Sequence, residues 1–324
     1  MLPSEATQAK NLAKKYDYQE YIIERFINLW GLAETKEILL AYQNPSLTAI
    51  RVNSLKISPQ ELQQRLENKG FKLTLIEWYP EGFVIQNAPL PIGATTELLS
   101  GFYFIQSIAS WLPPLILDPK PGEFIVDLAA APGGKATHIA QKMENTGTLL
   151  CLDISRERIR SLRSNLSRCG VLNAICLRTD SRKIVDFHLK ADKILLDAPC
   201  TGEGLMATDP SRRKTKSLQD ILRMSELQKE LLSVGLNSLK KEGILVYSTC
   251  STAPEENEEI IHWALSSFPI RILDSGFSNF SPGLTSAFGK EFHPDLQKAV
   301  RLYPHKHGTE GFFVCKLKLL EEVT

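Results

Sequence analysis

Two of the six cysteines in this sequence stand where a catalytic thiol could work. Cys200 and Cys250 each follow an apolar, strand-like run by only a few residues and lie in polar loops. A thiolate is a strong nucleophile, so two thiols at the mouth of one crevice could support covalent catalysis. A buried, unreactive thiol is the usual alternative for any cysteine, and it is the expectation for Cys151, Cys176 and Cys315 inside strand-like runs.

A tight turn of small residues lies at 124–135, where a Phe-Ile-Val-Asp strand runs into Leu-Ala-Ala-Ala-Pro-Gly-Gly-Lys. Glycine tolerates positive φ, so backbone N–H groups at such a turn can approach a ligand closely. A phosphate-binding loop fits poorly, because Ala129 and Ala136 replace its first glycine and its hydroxyl. The turn also lacks the three spaced glycines of a dinucleotide fingerprint. An S-adenosylmethionine turn of a class I methyltransferase and a structural turn without ligand remain open.

Acidic residues end three further strand-like runs, at Asp153, Asp180 and Asp197. Because the carboxyl ends of parallel strands share one crevice, we expect these acids to meet the glycine turn and both cysteines. Asp153 could bind both ribose hydroxyls of a nucleoside, or it could only stabilise a helix N-terminus. Asp180 could accept from an adenine amino group or be a surface acid, and Arg158 could reach the ligand or stay solvated.

Lys135 begins a predicted helix, where the helix dipole disfavours a cation. We therefore expect a compensating anion, either a ligand carboxylate or a carboxylate on a neighbouring strand end. Two thiols beside a sulfonium donor suit methylation of cytosine, whose carbon 5 becomes nucleophilic when a thiolate adds at carbon 6. Such a reaction also needs a base and a group that stabilises nitrogen 3. Asp197 beside Cys200 could serve nitrogen 3 if it is protonated or relays a proton.

The elements that must hold these residues in place form two regions. Residues 1–110 are predicted to form a smaller α+β domain, RNA-recognition-like and RNA-facing, with the order strand, helix, strand, strand after two helices. Residues 111–324 alternate strands and helices, which predicts an α/β, class I methyltransferase Rossmann-like domain with a mostly parallel seven-stranded sheet. Its last two strands, 300–303 and 312–317, lack a helix between them, so we expect an antiparallel edge.

Several segments together resemble the signature motifs of the Nop/Sun family of RNA cytosine-5 methyltransferases, in its bacterial Sun-like form. Three of them are DLAAAPGGK at 127–135, DAPCTG at 197–202 and STCS at 248–251. The segment 304–313 resembles the closing motif of the family, and Arg-Val-Asn at 51–53 resembles its N-terminal strand motif. The resemblance covers roughly residues 47–317, and the combination of motifs is highly specific.

The resemblance implies that S-adenosylmethionine donates a methyl group to RNA, either rRNA or tRNA, at cytosine carbon 5. It assigns Cys250 as the nucleophile that bonds to cytosine carbon 6, and Cys200 to product release as a candidate base. DNA cytosine methyltransferases use the Pro-Cys cysteine instead, so the reverse assignment is the alternative. The cofactor contacts that it carries over are Ala129, Ala130, Ala131, Pro132, Gly133, Gly134, Lys135, Asp153, Asp180 and Asp197.

Three places depart from the family pattern. Ala136 stands where threonine is usual, Ser107 follows Gln106 where an acid is usual, and the segment 209–216 is more basic and lacks a Pro-Asp pair. That segment is either a solvated loop or a phosphate-binding surface, and we predict the second. The residues predicted to contact RNA are Arg51, Arg212, Arg213 and Lys214.

The bulk composition limits the possible partners. The chain has 38 basic and 37 acidic residues, so any RNA surface must be a local patch. Neither a C-x-x-C pair nor a zinc-like Cys/His cluster occurs, which predicts no metal site. The first twenty residues do not resemble a signal or transit peptide, and no run could span a bilayer. We therefore expect a cytoplasmic protein. A monomer is the expected form, although the sequence does not indicate the oligomeric state.

Two other classes of protein remain as alternatives. One is a non-catalytic ribosome-assembly factor that keeps the fold and the S-adenosylmethionine site. The other is a methyltransferase that acts on a small molecule or a protein. The presence of both cysteines speaks against each of them, since neither function needs a thiol pair. The sequence leaves rRNA and tRNA both open as substrates, and it does not indicate which cytosine is modified.

Overall fold

The computed structural model of the chain describes residues 3–44 and 47–323. The helices are α1 (Pro3–Tyr16), α2 (Glu20–Ala41), α3 (Pro59–Glu67), α4 (Thr96–Leu99), α5 (Leu112–Leu117), α6 (Gly134–Lys142), α7 (Arg156–Cys169), α8 (Arg212–Thr215), α9 (Leu218–Asn237), α10 (Glu258–Ser267) and α11 (Pro304–His307). The strands are β1 (Ala49–Val52), β2 (Lys72–Ile76), β3 (Tyr79–Asn87), β4 (Tyr103–Ile105), β5 (Phe124–Asp127), β6 (Thr148–Asp153), β7 (Ala174–Arg178), β8 (Ala191–Asp197), β9 (Leu239–Thr249), β10 (Ile270–Leu273), β11 (Ser281–Pro282), β12 (Ser286–Ala287), β13 (Lys290–Glu291), β14 (Val300–Leu302) and β15 (Phe312–Leu319). Among these described residues, none of the helices combines the length and the apolar character needed to cross a lipid bilayer.

The N-terminal sheet has the strand order β2-β3-β1-β4, with β1 antiparallel to both β3 and β4. Helix α3 covers one face of this sheet through Leu62, which is buried with Ile50 and Val52. Ser58 caps α3, since its side chain accepts a hydrogen bond of 3.2 Å from the backbone N–H of Glu61. The elements therefore follow the strand, helix, strand, strand order that the sequence indicates for this region.

The larger sheet has the order β11-β14-β15-β9-β8-β5-β6-β7, and β10 also pairs with β15. Its central strands β5 to β9 are parallel to one another, whereas β15 is antiparallel to β9. Apolar side chains from α9 and α10 pack on one face, and those from α5, α6 and α7 pack on the other. This is the predicted architecture of a parallel sheet with helices on both faces.

Two details of this sheet differ from the sequence prediction. The sheet has nine strands in the described residues rather than seven. Five are the parallel strands β5 to β9, and the other four are β10, β11, β14 and β15. The last strand is also not at an edge, since β15 lies between β9 on one side and β10 and β14 on the other. The physical reason is burial: β15 is mostly buried along its length, and a buried strand needs backbone partners on both sides.

The second face of the N-terminal sheet packs against the larger region. Arg51 on β1 points into this contact and donates a hydrogen bond of 2.8 Å to the hydroxyl of Thr137 on α6. Gly82 on β3 lies against the indole ring of Trp111, where an added Cβ would be only 2.4 Å from ring carbon Cζ3. Trp111 is completely buried, so its ring has little room to move away. The close approach of the two regions therefore requires glycine at this position.

We predict that Gly82→Ala destabilises the protein by about 1–3 kcal/mol, because the extra methyl overpacks the Trp111 contact. Urea denaturation of the full chain measures this change in the free energy of unfolding. Gly93→Ala is the matched control, since nothing lies within 4 Å of a Cβ added there. Equal stability of the two variants would contradict the prediction.

Asp127 ends β5 in a buried position. Its Oδ1 accepts a hydrogen bond of 3.2 Å from the backbone N–H of Ala129, whereas its Oδ2 has no hydrogen-bond partner in the described part of the chain. Burial is the largest cause that raises the pKa of Asp127, from 3.8 to about 7, with a further contribution from Asp197. The folded protein therefore holds a proton on Asp127 at a pH where the unfolded chain does not.

This raised pKa predicts that Asp127 makes the protein less stable as the pH rises from about 4 to about 7. The sign follows because the folded state binds more protons than the unfolded state in that window. Asp127→Asn keeps a neutral side chain at every pH, so we expect a flatter dependence of the unfolding free energy on pH. Denaturation at pH 5 and pH 8 measures it, with the surface variant Asp295→Asn as control. An unchanged pH dependence in Asp127→Asn would contradict the expectation.

Candidate active site

A cavity of about 550 Å³ lies at the carboxyl ends of the parallel strands. Asp153 ends β6, Asp197 ends β8, and Cys250 directly follows β9. These three residues line the cavity together with Asp180 and Cys200. The structure thus brings the strand-end acids and both cysteines, which are far apart in sequence, into one space.

The glycine turn lies beside this cavity, between β5 and α6. Gly133 has a φ of +107°, a conformation that residues with a Cβ rarely adopt, so it shapes the turn. A second cavity of about 210 Å³ is lined by Lys135 and Asp197 and by the turn residues Ala129, Ala130, Ala131, Pro132 and Gly134. Ala129 and Asp197 line both cavities, so the two spaces meet at the turn.

Asp153 is buried and is held by the main chain and by an arginine. Its Oδ1 accepts a hydrogen bond of 2.8 Å from the backbone N–H of Ser155, and its Oδ2 lies 3.6 Å from the guanidinium of Arg158. Arg158 also donates to the backbone carbonyl of Ala131 in the glycine turn. An ionised carboxylate has about four acceptor sites, so Asp153 retains acceptor capacity for a ligand. Arg158 thus links the turn to Asp153 while it lines the cavity.

Asp180 lies further along the same cavity and already has a cationic partner. It accepts hydrogen bonds from the backbone N–H of Arg182 at 3.0 Å and from the guanidinium of Arg182 at 2.6 Å. These hydrogen bonds are the main reason that the pKa of Asp180 is lowered. Arg182 also forms an ion pair of 2.9 Å with Glu230 on α9. Asp180 is therefore a fixed, ionised acceptor at the cavity wall.

Lys135 and Asp197 form an ion pair across the turn, with 2.7 Å between Nζ and Oδ2. The hydroxyl of Ser248, at the end of β9, donates to the other oxygen of Asp197 at 2.7 Å. Burial alone would lower the pKa of Lys135, but attraction to Asp197 outweighs it and the pKa is raised. Of the two anions that the sequence allowed, the carboxylate on a neighbouring strand end is the one that neutralises Lys135. Both oxygens of Asp197 are thus held, one by the Lys135 ammonium and one by the Ser248 hydroxyl.

The sulfur atoms of Cys200 and Cys250 lie 3.2 Å apart. A hydrogen bond to the sulfur of Cys250, followed by burial, raises the pKa of Cys200 well above its usual value. The neutral thiol form of Cys200 is therefore favoured, and it lies within hydrogen-bond distance of the Cys250 sulfur.

Arg51 cannot contact RNA in this structure, so its predicted role is wrong. Only 1% of its surface is exposed, and its guanidinium bonds to Thr137 and Gln141 of α6. The sequence shows an arginine on a strand but does not show which face of the sheet is covered. Its position makes it a connection between the N-terminal sheet and the glycine-turn helix.

The basic segment 209–216, here called the basic loop, has fewer unpaired cations among the described residues than predicted. Arg212 lines the large cavity, donates to the carbonyl of Thr201 and pairs with Asp209 at 2.9 Å. Arg213 instead fastens the loop to α2, since it donates to the carbonyl of Tyr42 at 2.8 Å. Lys214 is exposed and forms a surface ion pair of 2.6 Å. Arg212 and Lys214 thus remain available to a ligand by position, whereas Arg213 has a structural role.

Sequence reasoning missed the buried polar run Glu255-Glu256-Asn257-Glu258, which follows Cys250 closely. It also gave no role to Ser248, although that hydroxyl fixes Asp197. The sequence shows no clear signal for this run, because acidic residues are common where a helix begins and α10 begins at Glu258. Among the described residues, no group of His, Cys, Asp or Glu side chains could hold a metal ion.

Two family models match the chain. Residues 114–318 match the 16S rRNA methyltransferase RsmB/F family, and residues 19–108 match the N-terminal domain of 16S rRNA methyltransferase RsmF. The human 28S rRNA (cytosine(4447)-C(5))-methyltransferase is 40% identical over 314 residues, covering 95% of this chain and 39% of its own length. Ribosomal RNA small subunit methyltransferase F of Klebsiella pneumoniae is 37% identical over 293 residues, covering 87% and 59%. The chain thus spans about half the length of the curated relatives that it matches.

Two solved structures from Pyrococcus horikoshii have the same fold over nearly the whole chain. A methyltransferase homolog protein is 42% identical with a TM-score of 0.89, over 99% of this chain and 100% of its own. NSun6, solved with SFG, is 28% identical with a TM-score of 0.83, over 92% and 97%. The class I methyltransferase fold and the resemblance to the Nop/Sun family are thereby confirmed. The chain belongs to the RsmB/F family of S-adenosylmethionine-dependent rRNA methyltransferases.

Proposed function

We propose that this protein is an S-adenosylmethionine-dependent RNA cytosine-5 methyltransferase and that its substrate is ribosomal RNA. The observation that carries the proposal is the 3.2 Å separation of the Cys200 and Cys250 sulfurs in the cavity that the strand-end acids line. The names of its relatives, rRNA cytosine-C5 methyltransferases, support the choice of rRNA over tRNA. A methyltransferase for small molecules or proteins would have no use for such a thiol pair.

The residues of the two cavities fit the methyl donor. Asp153 has acceptor capacity for the ribose hydroxyls, Asp180 for the adenine amino group, and backbone N–H groups of the glycine turn for a carboxylate. The two cavities, about 550 and 210 Å³, meet at Ala129 and Asp197, between the proposed nucleoside end and the cysteines. When bound there, S-adenosylmethionine supplies a methyl group on a positively charged sulfur.

In the proposed mechanism, the thiolate of Cys250 adds to carbon 6 of a cytosine that has left any base stack. The electrons of the carbon 5–carbon 6 double bond move toward nitrogen 3, which takes a proton relayed from Lys135 through Asp197. Carbon 5 then takes the methyl group, and nitrogen 3 returns its proton by the same route. Loss of the carbon-5 proton to a base re-forms the double bond and expels the Cys250 thiolate. Cys200, at 3.2 Å from Cys250, is the proposed residue that assists release, because its thiol can donate a hydrogen bond to the Cys250 sulfur as the thiolate leaves.

We further propose that residues 111–324 form the catalytic domain and that residues 1–110 face the RNA beside it. The burial of Arg51 moves the proposed RNA contacts of that domain away from the covered sheet face. Arg212 and Lys214 are the proposed phosphate contacts of the basic loop. A cytoplasmic location and a monomeric state remain part of the proposal.

We predict that Cys250→Ala lowers RNA methylation by at least about 1,000-fold, because a covalent catalyst loses its nucleophile. Binding of S-adenosylmethionine should stay within about twofold of wild type, since the acids and the glycine turn are unchanged. Transfer of a radioactive methyl group to rRNA, with calorimetry of cofactor binding, measures both quantities. Cys176→Ala, which changes a cysteine outside the cavity, serves as control. Full methylation by Cys250→Ala would rule the proposed mechanism out.

We predict that Cys200→Ala accumulates a covalent adduct between the protein and its RNA, because release fails after Cys250 has added to the base. A denaturing gel shows this adduct as a band that disappears after RNase treatment. If Cys250→Ala accumulates the adduct instead, the reverse assignment of the two cysteines is correct. A Cys200→Ala variant that turns over without an adduct contradicts the release role.

Bisulfite sequencing of rRNA and tRNA identifies the substrate. RNA from a strain that lacks this protein should lose 5-methylcytosine at one rRNA position, and wild-type protein but not Cys250→Ala should restore it. Loss of 5-methylcytosine from tRNA alone would contradict the choice of rRNA.

A further inference from the structure

The four residues at 255–258, Glu-Glu-Asn-Glu, are all at least 92% buried although three of them are acids. Burying a carboxylate is costly unless it is paired or hydrogen-bonded, so each needs a partner. Glu255 forms an ion pair with Arg25 of α2, and Glu258 forms one with Arg301 of β14. The side chain of Asn257 accepts a hydrogen bond from Thr249 at the end of β9. These three contacts explain why Glu255, Asn257 and Glu258 can be buried. They leave the burial of Glu256 unexplained.

Glu256 has no cationic partner at its carboxylate among the residues that the structure describes, and its hydrogen bonds go to the two cysteine loops instead. Its Oε1 accepts hydrogen bonds from the backbone N–H of Thr201 at 2.8 Å and from Gln228 at 3.1 Å. Its Oε2 accepts from the hydroxyl of Thr201 at 2.5 Å and from the hydroxyl of Ser251. Thr201 and Ser251 are the residues that directly follow the two cavity cysteines. One buried carboxylate therefore connects the two cysteine loops.

We propose that Glu256 is a positioning residue that sets the spacing of the Cys200 and Cys250 sulfurs for catalysis. Within the run 255–258, it alone bonds to both loops. The inference rests on the proposed function, because the sulfur–sulfur distance matters for catalysis only if both cysteines take part in the reaction. Glu256 does not touch the substrate and acts through the two loops.

Further contacts fix Glu256 itself. Gln228 of α9 bonds to Glu256 and also to the carbonyl of Pro199, at 2.8 Å, so a second link reaches the Cys200 loop. The hydroxyl of Tyr247 donates to the backbone carbonyl of Glu256 at 2.6 Å. The negative charge of Glu256 adds to the hydrogen bond and the burial that raise the pKa of Cys200. The same carboxylate thus favours both the position and the protonated form of Cys200.

The test uses the full chain with Glu256→Asp, Glu256→Gln and the control Glu259→Gln. Aspartate is one methylene shorter and cannot reach both loops, whereas glutamine keeps the length and an acceptor oxygen for the Thr201 N–H. Glu259 pairs with Lys290 at 2.9 Å and contacts neither loop, so its variant changes the charge nearby without changing the proposed link.

The first readout is the rate at which diamide oxidises Cys200 and Cys250 to a disulfide, followed by mass spectrometry of the linked peptides. Two sulfurs held in contact react fast, so we expect Glu256→Asp to slow this step by at least about tenfold. Glu256→Gln should stay within about threefold of wild type, and Glu259→Gln should match wild type. A wild-type rate in Glu256→Asp would overturn the proposal.

The second readout separates positioning from folding. We expect Glu256→Asp to lower kcat of RNA methylation by about the same factor as the disulfide rate, with KM and cofactor affinity nearly unchanged. A loss of cofactor affinity and thermal stability together, with an unchanged disulfide rate, would show a purely structural role and overturn the inference. If Glu256→Asp does not fold, Thr201→Val removes one of the four hydrogen bonds and should shift both readouts in the same direction. If Glu256→Asp slows disulfide formation but the wild-type protein does not methylate RNA, the proposed function is contradicted and the positioning of the thiols is not.

Discussion

The proposed site depends on one constraint, the register in which β8 pairs with β9. The pairing sets Asp197 opposite Ser248. Cys200 follows Asp197 by three residues and Cys250 follows Ser248 by two, so the register brings two loops together that are fifty residues apart in sequence. A slip of one residue would turn every side chain of the shifted strand to the other face of the sheet and separate these groups. The hydrogen bond between the Ser248 hydroxyl and Asp197 adds a side-chain contact to the backbone pairing.

The neighbouring strand β5 leads to the residue that supplies the positive charge, Lys135. Its register with β8 places Asp127 opposite Leu195, two residues before Asp197. The chain leaves β5 through the glycine turn and begins α6 with Lys135 in its first turn, so Lys135 reaches Asp197 across the gap. A cation at a helix N-terminus is unfavourable by itself, and the carboxylate offsets that cost. Helix position and strand register together account for the ion pair at the junction of the two cavities.

Much of this geometry could be predicted from the sequence, because the meeting of parallel strand ends is a property of the topology. Asp153, Asp180, Asp197 and the cysteines each follow a strand-like run, and one rule brings them together. Arg51 could not be placed in this way, since no local pattern shows which face of its sheet another domain covers. The central position of β15 was also missed, because a late strand without a preceding helix can pair at an edge or insert between two strands.

The two cysteines share a cavity but not an electrostatic environment, and this difference bears on which of them is the nucleophile. A hydrogen bond to Cys250 and burial raise the pKa of the Cys200 thiol most, and the carboxylates of Glu256 and Asp197 raise it further. Cys250 lies near the Lys135 ammonium, and attraction between them is one of the causes that raise the pKa of Lys135. Nearby carboxylates favour a neutral thiol, which is a weak nucleophile. The raised pKa of the Cys200 thiol therefore supports the proposed assignment of Cys250 as the attacking sulfur, rather than the Pro-Cys position that DNA cytosine methyltransferases use.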